Sequence, residues 1–216
     1  MNSGKSTALL QAAFNYEERN QQVLLAKPQV DTKGDGEIVS RLGVTRPVDF
    51  TVAPDEDIYD RFAAQRAQVR TATGLDVSCL LIDEAQFLTE SQVDDLLRIA
   101  ILEGVPVLAY GIRTDFQTVA FPGSRRLLEI AHSLEELKTI CRCGRKAVFN
   151  ARRIGDRYIF DGDQVAIDTS IDAGQMVTYE SLCGKCYLEE SDGVLNNGRR
   201  ARSELSYQSG PDADFA

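Results

Sequence analysis

The sequence contains no apolar run approaching the roughly 20 residues that a bilayer-spanning helix needs, so no membrane-embedded segment is expected. Its start lacks the charged-then-apolar layout of a secretory signal, and a cytoplasmic protein is expected. Basic residues are outnumbered: 24 Lys and Arg face 33 Asp and Glu, for a formal net charge of −9. Broad electrostatic binding to nucleic acid needs basic surface that displaces phosphate counterions, and this balance argues against it. A nucleotide ligand stays open, because a few local donors hold a triphosphate against the overall field. Histidine is nearly missing: His132 stands alone and is read as a surface or boundary residue rather than a ligand. Internal repeats are absent as well. What remains is ordinary for a globular chain, with 43% hydrophobic and 26% charged residues among 216, enough for one sizeable core and a small appendage.

Apolar periodicity orders most of the first 138 residues. Residues 4–19 read as a helix with Leu9, Leu10, Ala13 and Phe14 apolar, and "QVLLAK" (22–27) as a short strand. Residues 28–47 are polar and carry Gly34, Gly36 and Gly43, the signature of a loop or hairpin. Pro47 to Val52 reads as a further strand, and Asp55 as the cap of a helix over 56–72 with Ile58, Phe62, Ala63 and Val69 on one face. "VSCLLID" (77–83) is a continuous apolar run ending in carboxylates, the pattern of a buried parallel strand. Thr89 and Gln92 form a capping-box pattern ahead of Val93, Leu96, Leu97 and Ala100, and Gly104 closes that helix. "VPVLAYG" (105–111) reads as the next strand and 124–131 as another helix. Strands alternating with helices predict a parallel, three-layer α/β domain over 1–138. Residues 139–190 predict a separate small unit of short β runs bounded by cysteine pairs. Residues 191–216 are polar and predict a disordered or loosely attached tail.

Three motifs carry chemistry. Gly4, Lys5, Ser6 and Thr7 form the back half of a phosphate loop, in which backbone N–H groups and a helix N-terminus face phosphates, the lysine reaches the β/γ-phosphates and the hydroxyl ligates Mg²⁺. The opening glycine of that pattern would fall ahead of Met1; the alternative is a Gly-Ser cap on an ordinary helix. Asp83 and Glu84 follow an apolar strand, where an acidic residue can hold the Mg²⁺ shell and a second carboxylate can act as general base; the alternative is a solvated acidic turn. Cys141-x-Cys143 and Cys183-x-x-Cys186 can make a closed tetrahedral Zn²⁺ site, with Gly144 and Gly184 relaxing the backbone beside the sulfurs. The alternatives are redox pairs or unliganded thiols. Cys79 stands apart in an apolar run.

These features, in this order, resemble the thymidine kinases of the cytosolic tetrameric type found in many bacteria and in animals. "MNSGKST", "DEAQF" (83–87), "YGIRTDFQ" (110–117), "KTICRCGRKA" and "YESLCGKC" carry the resemblance from Met1 to about Glu190. It implies a P-loop (RecA-like) parallel sheet with flanking helices plus a small zinc-binding lasso domain. It implies ATP as phosphate donor, thymidine as acceptor, Mg²⁺ with ATP, a structural Zn²⁺, a homotetramer and feedback inhibition by dTTP. Residue by residue, Met1, Asn2, Ser3, Gly4, Lys5, Ser6 and Thr7 with Asp83, Glu84, Ala85 and Gln86 correspond to the ATP and phosphate site. Ser6 and Asp83 correspond to the Mg²⁺ residues, and Glu84 to the general base. Met1, Phe87, Phe116 and Tyr179 fall on the nucleoside site, although without the resemblance Phe116 and Tyr179 read as core rather than ligand-binding residues, and Cys141, Cys143, Cys183 and Cys186 fall on the zinc ligands. "VDTKGDGEIVSRLG" (30–43) resembles the mobile hairpin near the phosphates; Asp31 matches its aspartate, while Lys33 stands where an arginine is usual, keeping charge but losing the bidentate fork. The family has a β-strand leading into its phosphate loop, so the first strand is expected to be missing from the chain as given. Other expectations compete: a non-catalytic nucleotide-binding or zinc protein derived from such a kinase, or another phosphate-loop ATPase with a zinc ribbon.

Overall fold

The structure is a computed structural model that describes residues 4–29, 36–40, 43–162, 177–195 and 199–200. In chain order, helix α1 (Lys5–Glu17) leads into strand β1 (Gln22–Pro28), β2 (Glu37–Val39), β3 (Thr45–Pro47) and β4 (Phe50–Val52). Helix α2 (Ile58–Thr73), β5 (Val77–Ile82), a 3₁₀ turn at Ala85–Phe87, α3 (Glu90–Leu102), β6 (Val107–Ala109) and α4 (Pro122–Ile130) complete the first half. The remainder comprises β7 (Thr139–Ile140), β8 (Lys146–Ala147), β9 (Phe149–Ile154), β10 (Arg157–Ile159), β11 (Val177–Leu182), α5 (Gly184–Glu190), β12 (Val194–Leu195) and β13 (Arg199–Arg200).

The expected three layers are present. A parallel sheet has the order β4-β1-β5-β6, and alternate side chains of its inner strands enter two different cores. Leu24, Ala26, Leu80 and Ile82 pack with Phe62 of α2 and Val93, Leu96 and Ile99 of α3. Val23, Leu25, Cys79 and Leu81 pack on the opposite face with Leu9 and Ala13 of α1 and Ile38 of β2. A nearly continuous apolar strand must be covered on both faces, and "VSCLLI", in which only Ser78 is polar, is so covered. Among the described residues β4 and β6 are the edges of this sheet, and on β6 Leu108 and Ala109 are exposed.

Local chemistry explains the element ends, with some differences from the sequence-based expectation. The capping box at Thr89 and Gln92 forms in full. Helix α2 is capped by Asp57, which accepts from the Asp60 amide, rather than by Asp55. On α2, Ala63 faces solvent, and on α1 Phe14 is exposed while Leu9 and Ala13 are buried. The stretch expected as one strand over 47–52 divides between two sheets. Thr45–Pro47 pairs with β2 and Phe50–Val52 with β1, because Asp49 intervenes and its carboxylate accepts the Leu25 amide at 2.7 Å.

The second half holds the antiparallel sheet β10-β9-β11 and the hairpin β7-β8, around a core of Cys141, Ala147, Ala151, Leu182, Cys183, Cys186 and Tyr187. Helix α5 adds an element that the short β runs had not suggested. In the segment expected as a loose tail, β12 pairs with β13, and residues 201–216 lie outside the described ones. No helix among the described residues is long and apolar enough to cross a membrane.

Candidate active site and metal centre

Gly4 caps α1 in the left-handed region (φ 70°), which turns the chain sharply into the helix at a conformation glycine adopts without steric cost. Its carbonyl accepts the Ala8 amide at 2.9 Å, the first rung of the helix. Lys5, Ser6 and Thr7 therefore ride on the first helical turn, where unpaired amides and the helix dipole favour an anion.

Strand β5 carries the facing wall. The Ser6 hydroxyl lies 3.5 Å from the Asp83 carboxylate, and the other Asp83 oxygen accepts the Glu84 amide at 2.9 Å. Asp83 is 5% exposed; burial raises its pKa, the neighbouring Glu84 adds to the rise, and the Glu84 amide, Lys5 and Ser6 oppose it. Glu84 itself sits at φ 50°, a left-handed backbone uncommon for a non-glycine residue and concentrated at functional sites. Gly4, Lys5, Ser6, Thr7, Val39, Glu84 and Ile112 line one cleft of about 130 Å³.

Gln86 explains how Glu84 is held. Its side chain is buried; its amide donates to the Glu84 carboxylate, and its carbonyl accepts the Ile112 amide at 3.2 Å. Ala85 is buried beside it, and Phe87 packs edge-on against Phe121 with ring centroids 5.5 Å apart. The 3₁₀ turn presses on α4 at Gly123, whose absent side chain leaves room for the carbonyls of Ala85 and Leu88.

Phe116 lies away from the cleft lining, 1% exposed. Its loop is built on Asp115, which accepts the amides of Gln117 and Val119, both at 2.8 Å. The phenol of Tyr187 donates to the Phe116 carbonyl at 2.6 Å, and the Arg152 guanidinium lies over the Phe116 ring, 3.9 Å from its centroid. Burial, then Asp115, pushes the Tyr187 phenol up to about 12, so it remains a donor at neutral pH. Tyr179 sits on β11 directly opposite Arg152 on β9. Met1, Asn2, Ser3, Asp31 and Lys33 lie outside the described residues. Sequence reading missed Gln86 as the brace of Glu84, and it missed Arg152, Asp115 and Tyr187 altogether. Only Tyr187 carried a signal, as the aromatic directly after the second cysteine pair.

The four cysteines do converge. The sulfurs of Cys141, Cys143, Cys183 and Cys186 all lie within 4.8 Å of one another. Cys143 and Cys183 are 3.5 Å apart, far beyond a disulfide bond of about 2.05 Å and close to the roughly 3.8 Å that tetrahedral Zn–S bonds of about 2.3 Å imply. Crowding splits the thiols. Burial raises Cys141, but the amides of Cys143 and Cys183 and the neighbouring thiols outweigh it and hold it at about 7. The Cys186 amide lowers Cys183, while hydrogen bonding to Cys143, then burial, pushes Cys186 up to about 12. Thiolates that resist forming together are what a dication relieves, so the donor set fits zinc. Gly144 has φ 85°, as the first knuckle requires, whereas Gly184 takes ordinary helical backbone at the start of α5.

A helix start bearing Lys-Ser, with one strand-end carboxylate against its serine and a second across the cleft, belongs to proteins that move phosphoryl groups. The class is therefore that of the phosphate-loop phosphotransferases. Within it, the family model for thymidine kinase matches residues 1–187, and the chain belongs to the thymidine kinase family. Its relatives include the thymidine kinase of enterobacteria phage T4, 42% identical over 191 residues covering 88% of this chain and 92% of that one. The thymidine kinase of Idiomarina loihiensis is 46% identical over 191 residues, 88% and 92% of the two chains. That of Mannheimia succiniciproducens is 40% identical over 200 residues, 91% and 95%.

Proposed function

We propose that this protein phosphorylates thymidine at its 5′-hydroxyl with ATP, yielding dTMP for nucleotide salvage and DNA precursor synthesis. The observation that carries the reading is the single cleft shared by Gly4–Thr7 and Glu84, with Ser6 3.5 Å from Asp83. The α1 amides and Lys5 bind the ATP phosphates, with Met1, Asn2, Ser3, Ala85 and Gln86 completing the nucleotide side. Ser6 and Asp83 hold Mg²⁺, which when bound neutralises charge on the phosphates. Glu84, steadied by Gln86, accepts the proton of the attacking hydroxyl. Such transfer depends mainly on positioning and charge neutralisation. Met1, Phe87, Phe116 and Tyr179 form the nucleoside side, and the four cysteines hold a structural Zn²⁺. The division into a kinase domain (1–138), a zinc-binding lasso domain (139–190) and a tail (191–216) belongs to the same reading, as do a cytoplasmic homotetramer and inhibition by dTTP.

Glu84→Gln tests the assignment of the base. Glutamine retains an oxygen for the Gln86 amide but cannot take a proton. Thymidine phosphorylation should fall by roughly 10²-fold or more, the usual scale for a general base, with ATP affinity nearly unchanged. Turnover like that of the parent protein would remove Glu84 from the mechanism.

A further inference from the structure

Strands β2 and β3 form a hairpin of their own, outside the parallel sheet. Side chains alternate along a strand, and β2 uses both sides. Ile38 is buried in the core that holds Leu9 of α1, while Val39 is 59% exposed and lines the phosphate cleft beside Gly4–Thr7. A two-stranded ribbon is marginal by itself, so the place of Val39 depends on what holds the hairpin. One tie runs to β1. The Asp49 amide donates to the Leu25 carbonyl at 2.8 Å, its carboxylate accepts the Leu25 amide at 2.7 Å, and the Lys27 ammonium donates to the Glu37 carbonyl at 3.2 Å.

A second tie runs to α1. Arg46 of β3, in register with Ile38, donates to the Glu17 carboxylate through both terminal nitrogens, Nη1 to Oε2 at 2.9 Å and Nη2 to Oε1 at 2.6 Å. Glu17 ends a helix of 13 residues, about 20 Å long, whose other end is the phosphate loop. A carboxylate at a helix C-terminus opposes the helix dipole, and α1 has no basic residue in its last turn; Arg46 supplies the missing cation from another element. Exposed ion pairs contribute little unless the guanidinium grips the carboxylate at two points, as it does here with the side chains 28% and 41% exposed. Burial raises the Asp49 carboxyl, the Leu25 amide and then Arg46 lower it, and Glu17 adds to the rise. Arg46 thus supports both ties, whereas a change at Glu17 weakens the second alone.

We propose that Arg46 and Glu17 are positioning residues for ATP: by tying β3 to the far end of α1 they hold the hairpin where Val39 walls the phosphate cleft, and so govern nucleotide affinity and not thymidine affinity. This inference rests on the reading of that cleft as the ATP site.

The test compares the full chain with Arg46→Met, Glu17→Ala and the exchanged pair, Glu17→Arg with Arg46→Glu, each checked for a cooperative thermal transition. Calorimetric titration with Mg·ATP should show affinity lower by about threefold to fivefold in either single variant, the upper scale for an exposed pair. Amide exchange over Glu37–Val39 should quicken in the same variants. The exchanged pair restores the attraction and should bring ATP affinity back to within about twofold of the parent, with KM for thymidine within about twofold throughout. Glu17→Ala removes a carboxylate that opposes the α1 dipole, so a merely structural role predicts unchanged or higher stability and an unmoved ATP affinity. Unmoved ATP affinity in both single variants, an equal rise in thymidine KM, or an exchanged pair no better than the single variants would overturn the proposal. A parent protein that binds Mg·ATP in this Arg46-dependent way and leaves thymidine unphosphorylated would overturn the functional reading and support this inference; one that binds no Mg·ATP would overturn both.

Discussion

Adding one methyl group at Gly123 should impair the protein through a turn 36 residues earlier. Gly123 is the second residue of α4. A Cβ there would meet the carbonyl oxygens of Ala85 and Leu88 at 2.6 Å and that of Gln86 at 3.0 Å. Ordinary contact begins near 3.4 Å, so α4 and the 3₁₀ turn must separate by about 0.8 Å at the closest points. All three obstacles are backbone atoms, which cannot rotate away as a side-chain tip can. Alanine gains up to about 1 kcal/mol in helix propensity, but overpacking of this kind costs about 1–3 kcal/mol. With the full propensity gain the net expectation is a loss of up to about 2 kcal/mol, or a fall of up to about 8 °C in melting temperature for a chain of this size. The functional loss should be greater than the stability loss implies. The displaced turn carries Gln86, which braces Glu84 and holds the Ile112 amide, and misplacement on this scale can cost up to about 10²-fold in rate. Thermal melting and thymidine phosphorylation of Gly123→Ala, measured well below the melting transition, check both parts. A variant that melts at or above the parent temperature with full turnover would refute the reasoning.

Asp83→Asn should stabilise the protein while abolishing phosphorylation, because burial raises the Asp83 pKa. The folded state then favours the protonated carboxyl, so stability falls as pH rises from the unfolded value of about 3.9 through the folded one, and the penalty is complete above it. The gain in melting temperature should therefore be larger at about pH 8 than at about pH 4; an equal or smaller gain at the higher pH would contradict the assignment. Metal analysis should find one Zn²⁺ per chain, lost in the Cys183→Ala, Cys186→Ala double variant with loss of order around β9 and β11. Retention of zinc by that variant would exclude the four-cysteine site.

The parts of this fold that were legible in the sequence are those fixed by neighbours along the chain. The strand "VSCLLI" could be read because a nearly continuous apolar run leaves few options, and α3 because Thr89 and Gln92 lie three residues apart and cap each other. The cysteine cluster was legible for a similar reason, two tight pairs whose sulfurs come within 4.8 Å of one another. The boundary at Asp49 was not: its carboxylate replaces a strand partner for Leu25, a contact made across 24 residues. Nor was the burial of Arg152, since a basic residue on a β run normally points outward, and the ring that receives it lies 36 residues away. Gly123 had no local signal either; the need for glycine comes from carbonyls contributed by another segment.

The central claim is that the cleft between Gly4–Thr7 and Glu84 moves a phosphoryl group from ATP to the 5′-hydroxyl of thymidine. The direct measurement follows ADP and dTMP together in the purified protein with ATP and Mg²⁺, in the presence of thymidine and, separately, of 5′-deoxythymidine, which lacks the accepting hydroxyl. The account predicts one dTMP for each ADP with thymidine and neither product above background with the deoxy analogue. ADP formation that proceeds equally with both compounds, or without dTMP, would contradict it.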